Sequence, residues 1–324
     1  MRKYNLPIFI PHRGCPHDCA FCNQKKITGV DTDITANDVR DMIKEFLSTI
    51  QEDNASVEVA FFGGSFTGLE FETQESLLSV AAEFFSNISG IRLSTRPDYI
   101  NDKVLDLLVK YGVTTIELGV QSSDDEVLRL NNRGHSFDDV KNASEMIKSR
   151  GISLGHQMML GMYGSDPQRD MQTVSDIIEL QPDCVRIYPV VTLRDTKLQK
   201  LYEKGEYQPY TVDVAAGLAK EAVCMFRKNG IDVIRVGLHS SEELDTGDSV
   251  VAGPYHQAFG ELVESLCFRD VIEKEIQKKD LRNCVFEFAC KPNDVSKVIG
   301  HRKMNKEYFM EKYNIQLKAV VQKG

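Results

Sequence analysis

Cys15-Pro16-His17-Asp18-Cys19-Ala20-Phe21-Cys22 places three thiols within eight residues, spaced C-x3-C-x2-C. The run follows Pro7-Ile8-Phe9-Ile10, a short apolar stretch that reads as a β-strand. The thiols therefore belong to the loop at that strand's C-terminal end. Three thiolates can hold three irons of a cubane 4Fe–4S cluster and leave the fourth iron without a protein ligand. An open coordination position is what a catalytic metal centre needs. The competing reading is a zinc site completed by His12 or His17. A C-x2-C pair alone would favour zinc, but the tighter triplet has no second Cys/His pair near it. The other five cysteines, Cys184, Cys224, Cys267, Cys284 and Cys290, are scattered and read as small buried hydrophobes.

Further strand candidates lie at Val57–Phe62, Ile91–Ser94, Thr115–Val120, Ser153–Leu160, Cys184–Val190 and Ile231–Leu238. Amphipathic helical patterns separate most of them, at Asp38–Ile50, Thr73–Phe85, Asn101–Tyr111, Phe137–Ser149, Gln168–Leu180 and Thr211–Lys228. Strand-to-strand spacings leave room for crossover helices, and regular strand–helix alternation gives a parallel sheet. The fold class expected is α/β: a partial, TIM-like (β/α)6 barrel over residues 1–240. Ligands in such sheets sit at the C-terminal ends of the strands, where the cysteine loop falls. Ser240 to Gly253 reads as loop, and a helix over Ala258–Lys278 completes a connection spanning 241–280.

Residues 281–324 form a small α+β extension. Strand Cys284–Ala289, helix Asp294–Ile299, a tight Gly300-His301-Arg302-Lys303 loop, helix Asn305–Tyr313 and strand Ile315–Val321 follow one another. This βααβ order resembles the minimal core of a KH domain, in which a GXXG loop between helices meets single-stranded nucleic acid. The first glycine is kept as Gly300, and Lys303 stands in place of the second. Arg302 and Lys303 are the RNA-contacting candidates. The alternative is a unit that only caps the open side of the barrel.

Charge divides the same way. The 324 residues carry a net −9, yet residues 271–324 hold 12 Lys and Arg against 7 Asp and Glu, leaving the body at −14. A basic tail on an acidic body implies a partner of its own. No stretch approaches the roughly 20 apolar residues of a membrane helix, and the N-terminus lacks a signal-peptide pattern. The expectation is a cytoplasmic protein without membrane contact. The sequence does not read on oligomeric state.

With these motifs, the chain resembles the radical S-adenosylmethionine (SAM) domain of the Elongator catalytic subunit and its short bacterial relatives. The resemblance covers roughly residues 5–240. It is carried by Ser94-Thr95-Arg96-Pro97-Asp98-Tyr99, Leu118-Gly119-Val120-Gln121-Ser122, Asn132-Arg133-Gly134-His135, Met158-Met159, Pro182-Asp183, Arg186-Ile187-Tyr188-Pro189, Leu193-Arg194-Asp195-Thr196, Leu201-Tyr202 and Tyr207-Gln208-Pro209-Tyr210. It implies a radical SAM enzyme. Its cluster, held by Cys15, Cys19 and Cys22, would bind SAM and cleave it by one-electron reduction to methionine and a 5′-deoxyadenosyl radical, which abstracts hydrogen from a tRNA-related substrate. An electron donor such as ferredoxin or flavodoxin is then required.

Within that frame, Phe21 lies where the adenine would rest, or simply packs. Gly63 and Gly64, ending the second strand, would hold the methionine amino group through their backbone. Glu117 and Gln121 end the fourth strand and would meet the ribose hydroxyls or adenine edge, unless they bond neighbouring backbone. Arg133 suits the SAM carboxylate, and Gln157 sits in the fifth strand. Two departures stand out. The Elongator subunit spaces its first two cysteines farther apart, and the stretch after Leu238 is shorter than that subunit's acetyltransferase domain, so acetyl transfer is not expected. Oxygen-independent coproporphyrinogen III oxidase shares the cysteine spacing and Gly119-Val120-Gln121-Ser122, and is the alternative family. A non-catalytic Fe–S or RNA-binding adaptor is the alternative class.

Overall fold

The computed structural model describes residues 2–10, 19–23, 34–50, 55–239 and 242–322. Among these, seven parallel strands form one curled sheet: β1 (Arg2–Ile10), β2 (Ala55–Gly63), β3 (Gly90–Thr95), β4 (Val113–Gln121), β5 (Ser153–Leu160), β6 (Cys184–Pro189) and β8 (Asp232–Val236). Their spatial order is the chain order, with β1 and β8 at the edges. The sheet is the expected half-barrel, and β8 adds a seventh strand to the six β/α units.

The crossover helices begin where the sequence supplies caps. Thr35 and Asp38 form a capping box for α1 (Ala36–Thr49), and Ser136 and Asp139 do the same for α5 (Phe137–Ser149). Each box satisfies otherwise orphaned N–H groups of the first turn. Between them lie α2 (Phe71–Ala82), α3 (Asp102–Lys110) and α4 (Asp125–Leu130), and α6 (Pro167–Glu179) follows β5. Their apolar faces, such as Val39 and Ile43 of α1 or Val140 and Ile147 of α5, are fully buried against the sheet. Each such side chain contributes about 1.5–3 kcal/mol through removal from water.

Several short elements depart from the sequence expectation. Residues 240–253, read as loop, contain α9 (Glu242–Asp245) and β9 (Val250–Ala252); β9 pairs antiparallel with β7 (Thr192–Leu193). Val191, Leu193 and Leu244 make a small buried cluster there. Helices α4 and α7 (Lys197–Glu203) lie where no helix is legible. All are shorter than the window in which periodicity can be recognised.

After α8 (Val212–Lys228) and β8, helix α10 (Phe259–Lys278) runs from the barrel to the C-terminal unit. Its Phe259, Leu262, Val263 and Leu266 belong to the barrel core. Ile272 and Ile276 instead join Cys290, Val298, Phe309, Ile315 and Leu317 in a second core. That second core lies under β10 (Val285–Cys290), α11 (Val295–Ile299), α12 (Met304–Tyr313) and β11 (Gln316–Val321), with β10 and β11 paired in parallel. Asn305 ties the unit to α10 by donating to Ser265 O at 2.8 Å. No helix among the described residues is long and apolar enough to cross a membrane.

Candidate functional site at the mouth of the barrel

Residues 19–23 dock across the C-terminal ends of the strands. Ala20 N–H donates to Asn131 O at 3.0 Å, and Ala20 O accepts from Leu198 N–H at 2.8 Å. Asn23 Nδ2 donates to Arg194 O at 3.1 Å. The segment is thus held between the end of α4 and the start of α7. Cys19 and Cys22 are partly exposed, in a turn closed by Cys22 N–H to Cys19 O, 3.0 Å. Cys15, His12 and His17 lie outside the described residues. Phe21 packs on a cluster of Val127, Met162, Val190, Leu198 and Tyr207.

Arg133 links this turn to the sheet. One guanidinium nitrogen lies 3.4 Å from Cys19 Sγ, and another donates to Gly119 O at 2.8 Å. Strand β4 has a register irregularity against β5 between Gly119 and Gln121, and Gln121 adopts φ +67°. A bulge and a left-handed non-glycine residue at a strand end re-aim a side chain at some cost in strain. Both Arg133 and Gln121 are more than nine-tenths buried. Yet Gln121 Oε1 and Arg133 Nε have no hydrogen-bond partner among the described residues. Buried polar atoms are almost always satisfied, so these mark a place for a further group. Gly119 keeps the space open: a Cβ there would come within 3.1 Å of Gln121 Nε2 and 3.2 Å of Arg133.

Supporting groups surround this corner. Arg96 donates to Arg133 O and pairs with Asp98 through two bonds of 2.9 Å. Thr95 Oγ1 lies 2.8 Å from Ser65 Oγ and 2.5 Å from Thr67 Oγ1. His135 Nε2 lies 3.3 Å from Val120 O. Burial, then repulsion from Arg133 and Arg96, draws its pKa down to about 3, so the ring is neutral near pH 7. On the far side, Gly63 has φ +101°, and a Cβ there would stand 2.7 Å from Ile10 O; Gly64 N–H donates to the same carbonyl at 3.1 Å. Only glycine permits this close passage of β2 beside the end of β1.

Glu117 is placed differently from the sequence expectation. It points into the lumen below the mouth and is 1% exposed. Arg92 (2.9 Å), Arg186 (2.9 Å to Oε1) and Gln157 Nε2 (3.0 Å) all donate to its carboxylate. With both oxygens engaged, it supports the site from beneath and does not reach toward a ribose. Burial alone would raise its pKa; the hydrogen bonds and charges of Arg186, Gln157 and Arg92 outweigh that and hold it below the usual range. Gln157 also donates to Ser94 Oγ at 2.9 Å, and Arg92 pairs with Glu58 at 3.0 Å.

A second buried carboxylate has no role legible in the sequence. Asp170 of α6 accepts from Gly161 N–H (2.9 Å), Ser165 Oγ (2.6 Å) and Tyr210 Oη (2.9 Å). Burial pushes its pKa up to about 6, because these partners are neutral. Tyr207 Oη donates to Gly161 O at 2.8 Å, and Asn131 Nδ2 to Tyr163 O at 2.8 Å. The loop after β5 is thereby fastened to the residues that hold the cysteine turn.

Residues 9–177 match the model of the radical SAM superfamily, and residues 182–267 match that of the Radical_SAM C-terminal domain. The chain belongs to the radical SAM superfamily. A tRNA uridine(34) acetyltransferase of Methanocaldococcus jannaschii is 28% identical over 206 residues, covering 57% of this chain and 38% of that protein. Elongator complex protein 3 of Saccharomyces cerevisiae is 28% identical over 191 residues, covering 52% of this chain and 34% of its own length. The chain thus spans well under half of these relatives. The archaeal Methanocaldococcus infernus Elp3 with an N-terminal deletion superposes with a TM-score of 0.64 at 24% identity, covering 86% of this chain and 64% of that one. Coproporphyrinogen III oxidase from Escherichia coli gives 0.54 at 20% identity, over 71% and 53% of the two chains. These last two likenesses concern the fold.

Radical SAM membership implies a 4Fe–4S cluster and SAM. The donor set fits both. Cys19 and Cys22 share one turn, Cys19 Sγ lies 3.4 Å from the Arg133 guanidinium, and Arg133 Nε and the nearby Gln121 Oε1 are without a hydrogen-bond partner among the described residues. Of the other residues singled out in the sequence, Gly63, Gly64 and Arg133 lie at the strand ends, Gln157 and Glu117 form the layer below, and Arg302 and Lys303 belong to the C-terminal unit. The hydroxyl cluster around Thr95, the Arg96–Asp98 pair, Asn131 and Asp170 went unassigned in the sequence. Their signal was a polar residue at the end of an apolar strand or helix turn.

Proposed function

We propose that the chain is a radical SAM enzyme acting on RNA, with the cluster held by Cys15, Cys19 and Cys22 and SAM lying between Gly63-Gly64 and the Gln121–Arg133 corner. The carrying observation is Arg133, which bridges Cys19 Sγ and Gly119 O beside the unpartnered Gln121 Oε1. The cluster with SAM bound supplies one-electron chemistry that removes a hydrogen atom from a C–H bond of the substrate. This chain's residues do the positioning. Arg133 offers a guanidinium to the SAM carboxylate. Gly63 and Gly64 bring the β2 backbone close enough to meet its amino group. Gln121 Oε1 accepts from a ribose hydroxyl or the adenine amino group, and Phe21 packs at the edge of the same loop. Gln157, anchored to Glu117 and Ser94, supports the layer below. Neutral His135 adds no charge beside the sulfonium.

RNA as substrate is supported by the names of the tRNA-modifying relatives and by the basic C-terminal unit. There Arg302 and Lys303 are exposed at a tight turn with φ +48° and +68°. Lys303, where a GXXG loop carries glycine, accepts the left-handed conformation and keeps its charge outward. Electrons would come from a ferredoxin or flavodoxin. The test is anaerobic reconstitution. The protein should bind close to four irons and convert SAM to 5′-deoxyadenosine under dithionite, and Ala at Cys15, Cys19 or Cys22 should abolish both. Stoichiometric zinc without SAM cleavage would sink the reading. Mass spectrometry of total RNA from cells with and without the gene should reveal one modified nucleoside that depends on it.

A further inference from the structure

Arg186 of β6 and Arg235 of β8 are register partners, so both face the lumen. The Arg186 guanidinium lies 5.0 Å from the Phe62 ring and is neutralised by Glu117. Arg235 is not so matched. Its guanidinium donates to Gly237 O at 3.2 Å and Leu238 O at 2.9 Å, and no carboxylate pairs with it among the described residues. It is partly buried, and its charge is felt by Tyr188 and His239. A cation partly withdrawn from water, with no carboxylate partner among the described residues, gains from an arriving anion. Because β8 is the edge of the sheet, this group stands at the open seam of the half-barrel. His239 beside it is exposed, and partial desolvation and the nearby Arg235 and Arg186 draw its pKa downward.

The seam is also joined to the basic turn of the C-terminal unit. Gly237 lies against Phe259, the first residue of α10, and Phe259 N–H donates to His256 O at 3.0 Å. The His256 ring meets His301 edge-on with centroids 5.0 Å apart, and Arg302 is close enough to lower the His256 pKa further after burial and His301. Cationic side chains thus stand at both ends of a short run of contacts leading from Arg302 to the barrel mouth.

We infer that Arg235, with Tyr188 and His239 beside it, is a subsite for a backbone phosphate of single-stranded RNA entering the mouth from the Gly300–Lys303 turn. Guanidinium–phosphate pairing is bidentate and charge-assisted, which suits a partly desolvated Arg. The inference rests on the reading of this chain as an RNA-acting enzyme.

The experiment measures fluorescence anisotropy of a labelled 12-nucleotide single-stranded RNA and of bulk tRNA against the reconstituted full chain, across a series of KCl concentrations. Arg235→Gln should weaken RNA binding about 10-fold and reduce the slope of log affinity against log salt by about one. Arg235→Lys should recover most of the affinity, and SAM cleavage without RNA should stay unchanged in both. If wild type and Arg235→Gln bind RNA equally, the subsite is overturned while the RNA reading stands. If wild type binds neither RNA, both fall. If inorganic phosphate protects wild type but not Arg235→Gln from thermal unfolding while RNA affinity is unaltered, the site takes a small anion, and the RNA subsite is overturned.

Discussion

Strand β4 carries two buried polar side chains four residues apart, and their surroundings differ in kind. Around Glu117 every hydrogen-bonding position is filled: two guanidinium groups and a carboxamide converge on one carboxylate, and Glu58 answers the remaining charge on Arg92. Around Gln121 the accounting stays open, with Oε1 and the nearby Arg133 Nε lacking partners. Burial and polarity are alike in the two places, so neither property alone identifies a ligand site. Saturation does. The closed network is the floor of the barrel and serves the fold. The open one is at its mouth, where the proposed SAM site lies.

The largest expected effect tests the floor. Glu117→Ala would leave Arg92 and Arg186 facing each other in the lumen without that counter-charge, and should destabilise the protein by about 3–5 kcal/mol in urea unfolding. A loss below about 1 kcal/mol would mean that the network is dispensable and would erase the contrast.

A smaller effect tests whether partner charge, and not saturation alone, sets the state of a buried carboxylate. Asp170 is saturated by neutral donors, and its pKa stands at about 6, against about 3.9 for an Asp in water. Its folded-state pKa is raised, so the protonated form favours the native state. Stability from this group is fullest below about pH 4, falls as pH rises toward 6, and is level above that, a change of about 3 kcal/mol. Because other carboxylates titrate in the same range, the readout is the difference from Asp170→Asn. The stability of that variant relative to wild type should grow between pH 4 and 6; a constant difference would refute the shift.

The smallest effect belongs to the mouth. Gln121→Ala should weaken SAM binding to the reconstituted protein by about 1–2 kcal/mol, measured by equilibrium dialysis. Its unfolding free energy should change by no more than about 0.5 kcal/mol, since no hydrogen bond to Oε1 is lost within the fold. A variant that loses stability but keeps SAM affinity would place Gln121 with Glu117.

How far the sequence could be read depended on the range of the interactions involved. The parallel sheet was legible because each strand and helix announces itself within a dozen residues, through apolar runs and caps such as Thr35 and Ser136. The cysteine turn was legible because its spacing is local. The floor was not: Glu58, Arg92, Glu117 and Arg186 each look like a lone polar residue in an apolar strand, and only the sheet register brings them together. For the same reason Glu117 and Gln121 seemed equivalent, although one is enclosed and the other open. The pairing of Thr192–Leu193 with Val250–Ala252 was hidden by brevity, and Asp170 gave no sign because its partners come from the loop after β5 and from Tyr210.

Helix α10 gives half its apolar face to one core and half to the other without a break between Phe259 and Lys278. Twenty helical residues span about 30 Å, and a continuous helix packed at both ends is a strut. The C-terminal unit therefore has no hinge in α10 about which to swing. On the proposed reading, anything held at the Gly300–Lys303 turn would be presented to the barrel mouth at a fixed offset, like the jaws of a caliper, and substrates would be selected by the distance between their point of capture and the atom to be altered.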